Sequence, residues 1–274
     1  METERKDLTS GGMNKVELIG DTVHKTAKGH PMVRSYLLYL EKSGMPHVPR
    51  FLGVDEQGRD MFSYLPGDTM GWEIDHTHPC FTSEETIVDV ARFMRKLHDI
   101  SVGFLPEAAK NGWENPFFPG EKHETICHGD AGVWNFVFRN GRFAGAFDFD
   151  IAYPGTRIWD LTSTLFSVIH YDYYYYDVPK PNDTAAYRAY QEAAAIRKRR
   201  IQLFFETYGM NCPTNIAELV TQRIQIDFID DTIIRANAGD VECHKMLKDR
   251  EHLTHYNTII AHLKKYGKEW AQLG

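Results

Sequence analysis

Three oxygen-bearing side chains frame the first chemical question. They are Asp130 in His128-Gly129-Asp130, Asn135 five residues later, and Asp148 in Asp148-Phe149-Asp150. An Asp five residues before an Asn, followed by an Asp at a strand end, is the polar kit of phosphoryl transfer: one carboxylate for the accepting hydroxyl, an amide and a carboxylate for a metal. The spacing makes this more than a set of polar residues. Asn140-Gly141 is the preferred dipeptide of a two-residue type I′ hairpin. With that turn, Arg139 faces Arg142 and Asn135 faces Ala146. Asn135 and Asp148 then share one face of the hairpin as diagonal neighbours, about 7–8 Å apart between α-carbons. There an amide oxygen and a carboxylate can hold one Mg2+, which takes hard oxygen ligands. Asp130, in the loop entering the hairpin, comes near the metal without occupying it.

Other polar residues have two readings each. His128 sits inside the loop, where its ring is expected to bond backbone and hold the loop's shape rather than act as a base. Asp150 either binds a second metal or faces solvent at the strand end. Asp227, Asp230 and Asp231 fall at i, i+3 and i+4 on one helical face, a set that suits a polyamine-like acceptor or forms an acidic solvent face. The run Arg197-Lys198-Arg199-Arg200 reads as a solvated helix face. Tyr171 to Tyr176, flanked by Asp172 and Asp177, either lines a pocket or packs half-buried aromatics at a helix end. The histidines show no H-E-x-x-H spacing, which argues against a zinc hydrolase.

The elements that must position these residues change character along the chain. Val16 to Ile19 and Thr22 to Thr26 form a hairpin pattern around Gly20-Asp21, and Val48–Val54 with Arg59–Leu65 form a second strand pair. Between them, Met32 to Lys42 is apolar at helical spacing, with Pro31 before it and Gly44 after. Pro66-Gly67 marks a lobe boundary, so residues 1–66 form one lobe and 67–274 another. A helix capped by Thr82 or Ser83 runs to about Leu97. Residues 105–125 read as loop, 136–149 as a hairpin, and 157–170, 184–208, 213–237 and 240–268 as helices. Strands first and helices after predict an α+β fold with a cleft between the lobes.

Composition narrows the partners. The 274 residues carry a net charge of −7, which gives no dominant footprint for nucleic acid or membrane. The apolar runs are far too short to span a bilayer. Cys80, Cys127, Cys212 and Cys243 are scattered without a C-x-x-C pair, and Met1 to Asp7 lacks the apolar core of a signal peptide. A reduced, cytoplasmic protein is expected.

The segments HGDAGVWN and DFDIAYPGTRIWDL together resemble the aminoglycoside phosphotransferase and choline kinase-like superfamily of small-molecule kinases. The segments VELIGDTVHKT and PRFLGVDEQGRDMFSYLPGD are similar to that family's N-lobe and hinge, and the helices around IRANAGD to its C-terminal helices. The resemblance implies a protein kinase-like two-lobed fold, with residues 1–66 as the nucleotide lobe and 67–274 as the catalytic and acceptor lobe. It implies an ATP- or GTP-dependent kinase with Mg2+, acting on a hydroxyl of a small molecule, aminoglycoside-like or a metabolite. Asp130 would be catalytic, and Asn135 and Asp148 would hold the metal. Lys25 would meet the nucleotide phosphates, the backbone at Ser63, Tyr64 and Leu65 would take the adenine, and Asp160 would be structural. Asp227, Asp230 and Asp231 would lie on the helices that build the acceptor site. Two features depart from kinase patterns: there is no G-x-G-x-x-G, and the helix after Lys25 has its one Glu, Glu41, near its end. The other readings are a protein kinase-like enzyme and an inactive nucleotide-binding module. Against the first stand the missing H-R-D and A-P-E motifs and a short Asp148-to-Asp160 stretch; against the second, the presence of Asp130 itself.

Overall fold

A computed structural model describes residues 5–9, 15–70, 75, 78–169 and 184–268. The tyrosines at 171–176 lie outside the described residues. The backbone gathers into two compact units, residues 1–164 and 165–274. The chain is α+β, as the pattern of strands followed by helices predicts.

The first unit opens with a five-stranded antiparallel sheet in the order β1-β2-β3-β5-β4. Its strands are β1 (Arg5–Asp7), β2 (Val16–Ile19), β3 (Thr22–Lys25), β4 (Phe51–Val54) and β5 (Asp60–Ser63). Gly20 takes φ 63° at the β2–β3 turn, a conformation that glycine adopts without steric cost. Helix α1 (Met32–Lys42) buries Val33, Tyr36, Leu37 and Leu40, spaced to form one face. Gly44 follows at φ 69°.

Past Leu65 the chain is tied to the hairpin that carries Phe138. Asp68 and Phe138 exchange backbone hydrogen bonds of 2.9 and 2.8 Å. The Ala146 N–H donates to the His47 carbonyl at 2.9 Å, anchoring the loop after α1 to the same hairpin. Helix α2 (Glu84–Ser101) begins where Ser83 Oγ accepts the Thr86 N–H at 3.2 Å, with Glu84 and Glu85 in its first turn. Residues 105–110 are not loop: they form helix α3 (Leu105–Lys110). Pro106 lies in its first turn, where a missing N–H costs nothing, so a residue that reads as a breaker is a starter here.

Two small sheets complete the frame. Strand β6 (Thr125–Cys127) pairs with β9 (Tyr153–Gly155), and β7 (Phe136–Arg139) pairs with β8 (Arg142–Ala146). Asn140 and Gly141 both have positive φ, 52° and 73°, the signature of the expected type I′ turn. Arg139 faces Arg142 as predicted, but a bulge between Val137 and Phe138 shifts the register, so Phe136 and not Asn135 faces Ala146.

Helix α4 (Arg157–Val168) leads into the second unit, whose described elements are otherwise helices: α5 (Thr184–Tyr208), α6 (Ile216–Ile224), α7 (Asp231–Asn237), α8 (Val241–Lys248) and α9 (Arg250–Tyr266). Two expected continuous helices are interrupted. Gln225–Asp230 is a π-helical run between α6 and α7. Asp249 breaks 240–268 in two, its side chain accepting the Glu251 N–H at 3.2 Å to start α9. The basic tetrad is also not one solvated face. Arg197 and Arg200, three residues apart, are buried, and Arg200 donates to the Val168 carbonyl at 3.1 Å.

Candidate active site

Sheet pairing explains why residues far apart in sequence meet. The loop at 128–135 runs from β6 to β7, and the loop at 147–152 runs from β8 to β9. Since β6 pairs with β9 and β7 with β8, the two loops lie side by side. Their approach is close. A Cβ on Gly129, which has φ 86°, would fall 2.2 Å from the Ile151 carbonyl oxygen, so only glycine fits.

The first loop hangs on Asp160, in the first turn of α4 and fully buried. Its carboxylate accepts the His128 N–H at 2.8 Å, the Gly129 N–H at 3.0 Å and a hydrogen bond from His98 Nε2 at 2.9 Å. Burial alone would raise this acid. The His98 hydrogen bond and charge, with the loop amides, outweigh burial and hold it below the ordinary Asp range. His128 is buried too. Its Nε2 lies 3.1 Å from the Phe147 carbonyl, and its ring lies 4.2 Å from that of Phe149. Burial pushes its pKa down. Phe149 in turn meets Tyr36 of α1 edge-on at 6.2 Å. A column of buried groups thus runs from Asp160 through His128 and Phe149 to helix α1.

Above this support, the Asp130 carboxylate is held from both sides. Trp134 Nε1 donates to Oδ1 at 2.9 Å, and Asn135 Nδ2 donates to Oδ2 at 2.7 Å and to the Asp130 carbonyl at 3.0 Å. Spending Nδ2 on Asp130 fixes which way the Asn135 amide turns, and Oδ1 is the oxygen left to coordinate a cation. Asn135 closes a 3-10 turn (Val133–Asn135), and Asp148 lies beyond the end of β8 at φ 66°. Neither is a strand residue, so the shared-face argument for the pair fails. What links them is Phe147, whose N–H donates to the Asn135 carbonyl at 3.0 Å. The amide oxygen and the carboxylate are hard donors that suit Mg2+, which commonly takes one or two protein ligands along with phosphate oxygens.

Lys25, at the end of β3, is 8% exposed and reaches this site. Its Nζ lies 2.6 Å from Asp148 Oδ1 and 2.7 Å from Asp150 Oδ1. Burial opposes the ammonium, but the two carboxylates outweigh it and raise its pKa. Asp150 shows the converse: burial, then the neighbouring Asp148 charge, push its carboxyl up against the pull of Lys25. Asp150 therefore does not face solvent.

At the hinge, the Ser63 N–H donates to the Arg50 carbonyl at 3.0 Å and the Tyr64 N–H to the Asp21 carbonyl at 3.1 Å. Those two amides are committed within the sheet. A cavity of about 490 Å³ lies beside Ser63, Tyr64 and Leu65, but its wall is the Glu41–Arg50 segment rather than the strands that carry Lys25. It is therefore a recess behind the hinge, separate from the Lys25 cluster.

The acidic trio lies in the second unit, and its carboxylates are engaged. Asp227 pairs with the fully buried Arg223, Asp230 accepts from Gln225 Nε2 at 2.8 Å, and Asp231 lies 3.7 Å from Arg235. The π-helical run changes the angular spacing, so i, i+3, i+4 no longer implies a single face. Sequence reasoning missed His98 and Trp134. Trp134 stood inside the decisive motif, whereas His98 was hidden on the apolar face of α2 with Met94, Leu97 and Ser101.

The comparisons with known proteins agree with this geometry. The model of the phosphotransferase enzyme family matches residues 112–204, a stretch that contains Asp130, Asn135, Asp148 and Asp160. The trifolitoxin immunity protein of Rhizobium leguminosarum bv. trifolii is 29% identical over 211 residues, 74% of each chain. Among solved structures, ADP-bound aminoglycoside phosphotransferase APH(2'')-Ib matches with a TM-score of 0.54 at 15% identity, covering 98% of this chain and 94% of its own. The macrolide 2'-phosphotransferase MphH of Brachybacterium faecium matches at 0.54 and 14%, covering 95% and 91%. At such identities the structural likeness is one of fold. The matched segment supports a small-molecule kinase, and the solved structures support the fold. The resemblance to the aminoglycoside phosphotransferase and choline kinase-like superfamily is borne out.

Proposed function

We propose that the protein transfers the γ-phosphoryl group of ATP, or of GTP, to a hydroxyl group of a small molecule in the cytoplasm. One observation carries the reading: an Asp130 carboxylate clamped by Trp134 and Asn135 stands beside a second loop that bears Asp148. A binding module has no use for the first of these carboxylates. Asp130 would orient the acceptor hydroxyl and take its proton late, as the new O–P bond forms and the bond to the β-phosphate oxygen breaks. An ordinary Asp, with a pKa near 3.9, is a weak base at neutral pH, so orientation contributes more than early deprotonation. Asn135 Oδ1 and Asp148 would hold Mg2+, which when bound offsets phosphate charge. Lys25 would move from Asp148 toward the phosphates. With two hinge amides committed, the Leu65 N–H and the hinge carbonyls would take the nucleobase.

In this reading residues 1–66 form the nucleotide lobe and 67–274 the catalytic and acceptor lobe. No described helix is long and apolar enough to cross a membrane. The acceptor class is drawn from the relatives: aminoglycosides, a macrolide, or a compound against which an immunity protein acts. A polycationic acceptor would need Asp227, Asp230 and Asp231, and the Arg223 partner of Asp227 weakens that case. The test is a phosphorylation screen over aminoglycosides, macrolides and neutral hydroxyl compounds, with mass-spectrometric detection of products heavier by one phosphoryl group. Nucleotide consumption coupled to one product class supports the reading. Failure to bind nucleotide at all would sink it.

A further inference from the structure

In kinases with a lysine at this strand position, a glutamate from the neighbouring helix pairs with it. Here that helix cannot supply one. Helix α1 reads Met-Val-Arg-Ser-Tyr-Leu-Leu-Tyr-Leu-Glu-Lys. Its one carboxylate, Glu41, lies at the far end, 3.6 Å from Arg50. The charge that α1 sends to the sheet has the opposite sign: Arg34 pairs with Asp60 Oδ1 at 2.7 Å, and Asp60 is the β5 partner of Lys25. The carboxylates that Lys25 does meet come from the loop after β8.

Those two carboxylates are not equivalent. Asp148 has 39% of its side chain exposed, and the proposed function, on which this inference rests, gives it to the metal. Asp150 is more enclosed, with 18% of its side chain exposed. Its backbone is also covered by the segment that follows Lys25. A Cβ on Gly29 would fall 2.6 Å from the Asp150 carbonyl oxygen. The next residue, His30, stacks on Trp113 at 5.5 Å and 8°. The chain carrying Lys25 and the loop carrying Asp150 are therefore held together by backbone contact as well as by the ion pair.

We propose that Asp150 is the permanent counter-ion and positioning residue of Lys25, replacing from the 147–152 loop the helix glutamate that α1 lacks. Asp148 is released to the metal while Asp150 keeps the ammonium aimed into the site. This assigns Asp150 to neither a second metal nor the solvent.

The test reads Lys25 directly. Amine acylation of the full-length protein, followed by peptide mass spectrometry, gives the labelling rate of Lys25 with and without Mg2+. Wild type is expected to stay protected in both conditions. Asp150→Asn is expected to label several-fold faster, and Mg2+ to increase that rate further by drawing Asp148 away. Labelling of Asp150→Asn at the wild-type rate would overturn the proposal, whether or not the protein binds nucleotide. A second measurement separates a metal ligand from a lysine partner. Asp150→Asn should change Mg-nucleotide affinity in the wild-type background by at least fivefold, and by less than twofold in Lys25→Met. In the Lys25→Met background, where no lysine competes for Asp148, the Mg2+ concentration giving half-maximal binding should be the same with and without Asp150→Asn. An equal change in both backgrounds, or a several-fold rise in that Mg2+ concentration, would make Asp150 a metal ligand and overturn the assignment. A circular-dichroism melt of each variant establishes that it is folded before labelling.

Discussion

Under the proposed function, the side chains of the site divide into those that would touch the reaction and those that hold them. Asp130→Asn removes the charge and proton-accepting capacity while keeping the shape, so kcat is expected to fall by orders of magnitude with the nucleotide KM nearly unchanged. A near-wild-type kcat would remove Asp130 from its role. Asn135 contributes twice, since its Nδ2 clamps Asp130 and its Oδ1 faces the other way. Asn135→Ala should therefore lower kcat and weaken Mg2+ dependence together. Asp148→Ala should act on Mg2+ dependence more strongly, because a formal charge in a half-buried site outweighs an amide dipole. Titrating Mg2+ against nucleotide binding in both variants separates the two effects. The motif made these three residues legible in the sequence, since each is defined by type and spacing. The fate of Lys25 and Asp150 was not legible, because their ion pair joins positions 125 residues apart through sheet pairing. The burial of His98 under Asp160 was equally invisible, as a histidine on an apolar helix face gives no sign of its partner.

At the scale of elements, local signals did well where one physical cause dominated. The Asn140-Gly141 turn and the limits of α1 follow from backbone preference and periodicity, and both stand as read. The hairpin register did not, because a bulge adds a residue without any mark in the sequence and moves every side chain beyond it. The π-helical run Gln225–Asp230 likewise hides within a helical pattern. Its Phe228 carbonyl accepts both Thr232 Oγ1 and His252 Nε2 at 2.9 Å, and Phe228 stacks on Tyr256 of α9 at 4.5 Å. His252 therefore ties α9 to the widened turn. Replacing it with Leu keeps bulk but loses a donor to a partly buried carbonyl, for an expected cost of about 1–2 kcal/mol. The shift of the urea midpoint measures it. A shift within error would mean that Thr232 alone satisfies the carbonyl and that His252 is incidental to the turn.

For the molecule as a whole, buried ionisable groups predict how stability depends on pH. His262 on α9 is buried beside Arg197 of α5, and burial first, then the charges of Arg197 and Lys265, push its pKa down to about 4. In the unfolded chain a histidine titrates near pH 6.5. Between these values the unfolded state binds the extra proton, so stability must fall as pH drops from about 6.5 and level off below about 4. His128, also displaced downward by burial, adds to the same slope. Asp160 acts in a separate window. Its folded pKa is depressed, so its contribution is complete above the ordinary carboxylate range and is lost only as pH falls through that lower value. The two causes can thus be separated on the pH axis. His262→Gln, which cannot titrate, should reduce the stability lost between pH 7 and pH 4.5 by roughly 1–3 kcal/mol, with its effect confined to that interval. Urea unfolding monitored by circular dichroism at both pH values tests this. An undiminished loss in the variant would mean that His262 is protonated in the folded protein, and that Arg197 and Lys265 do not hold it neutral.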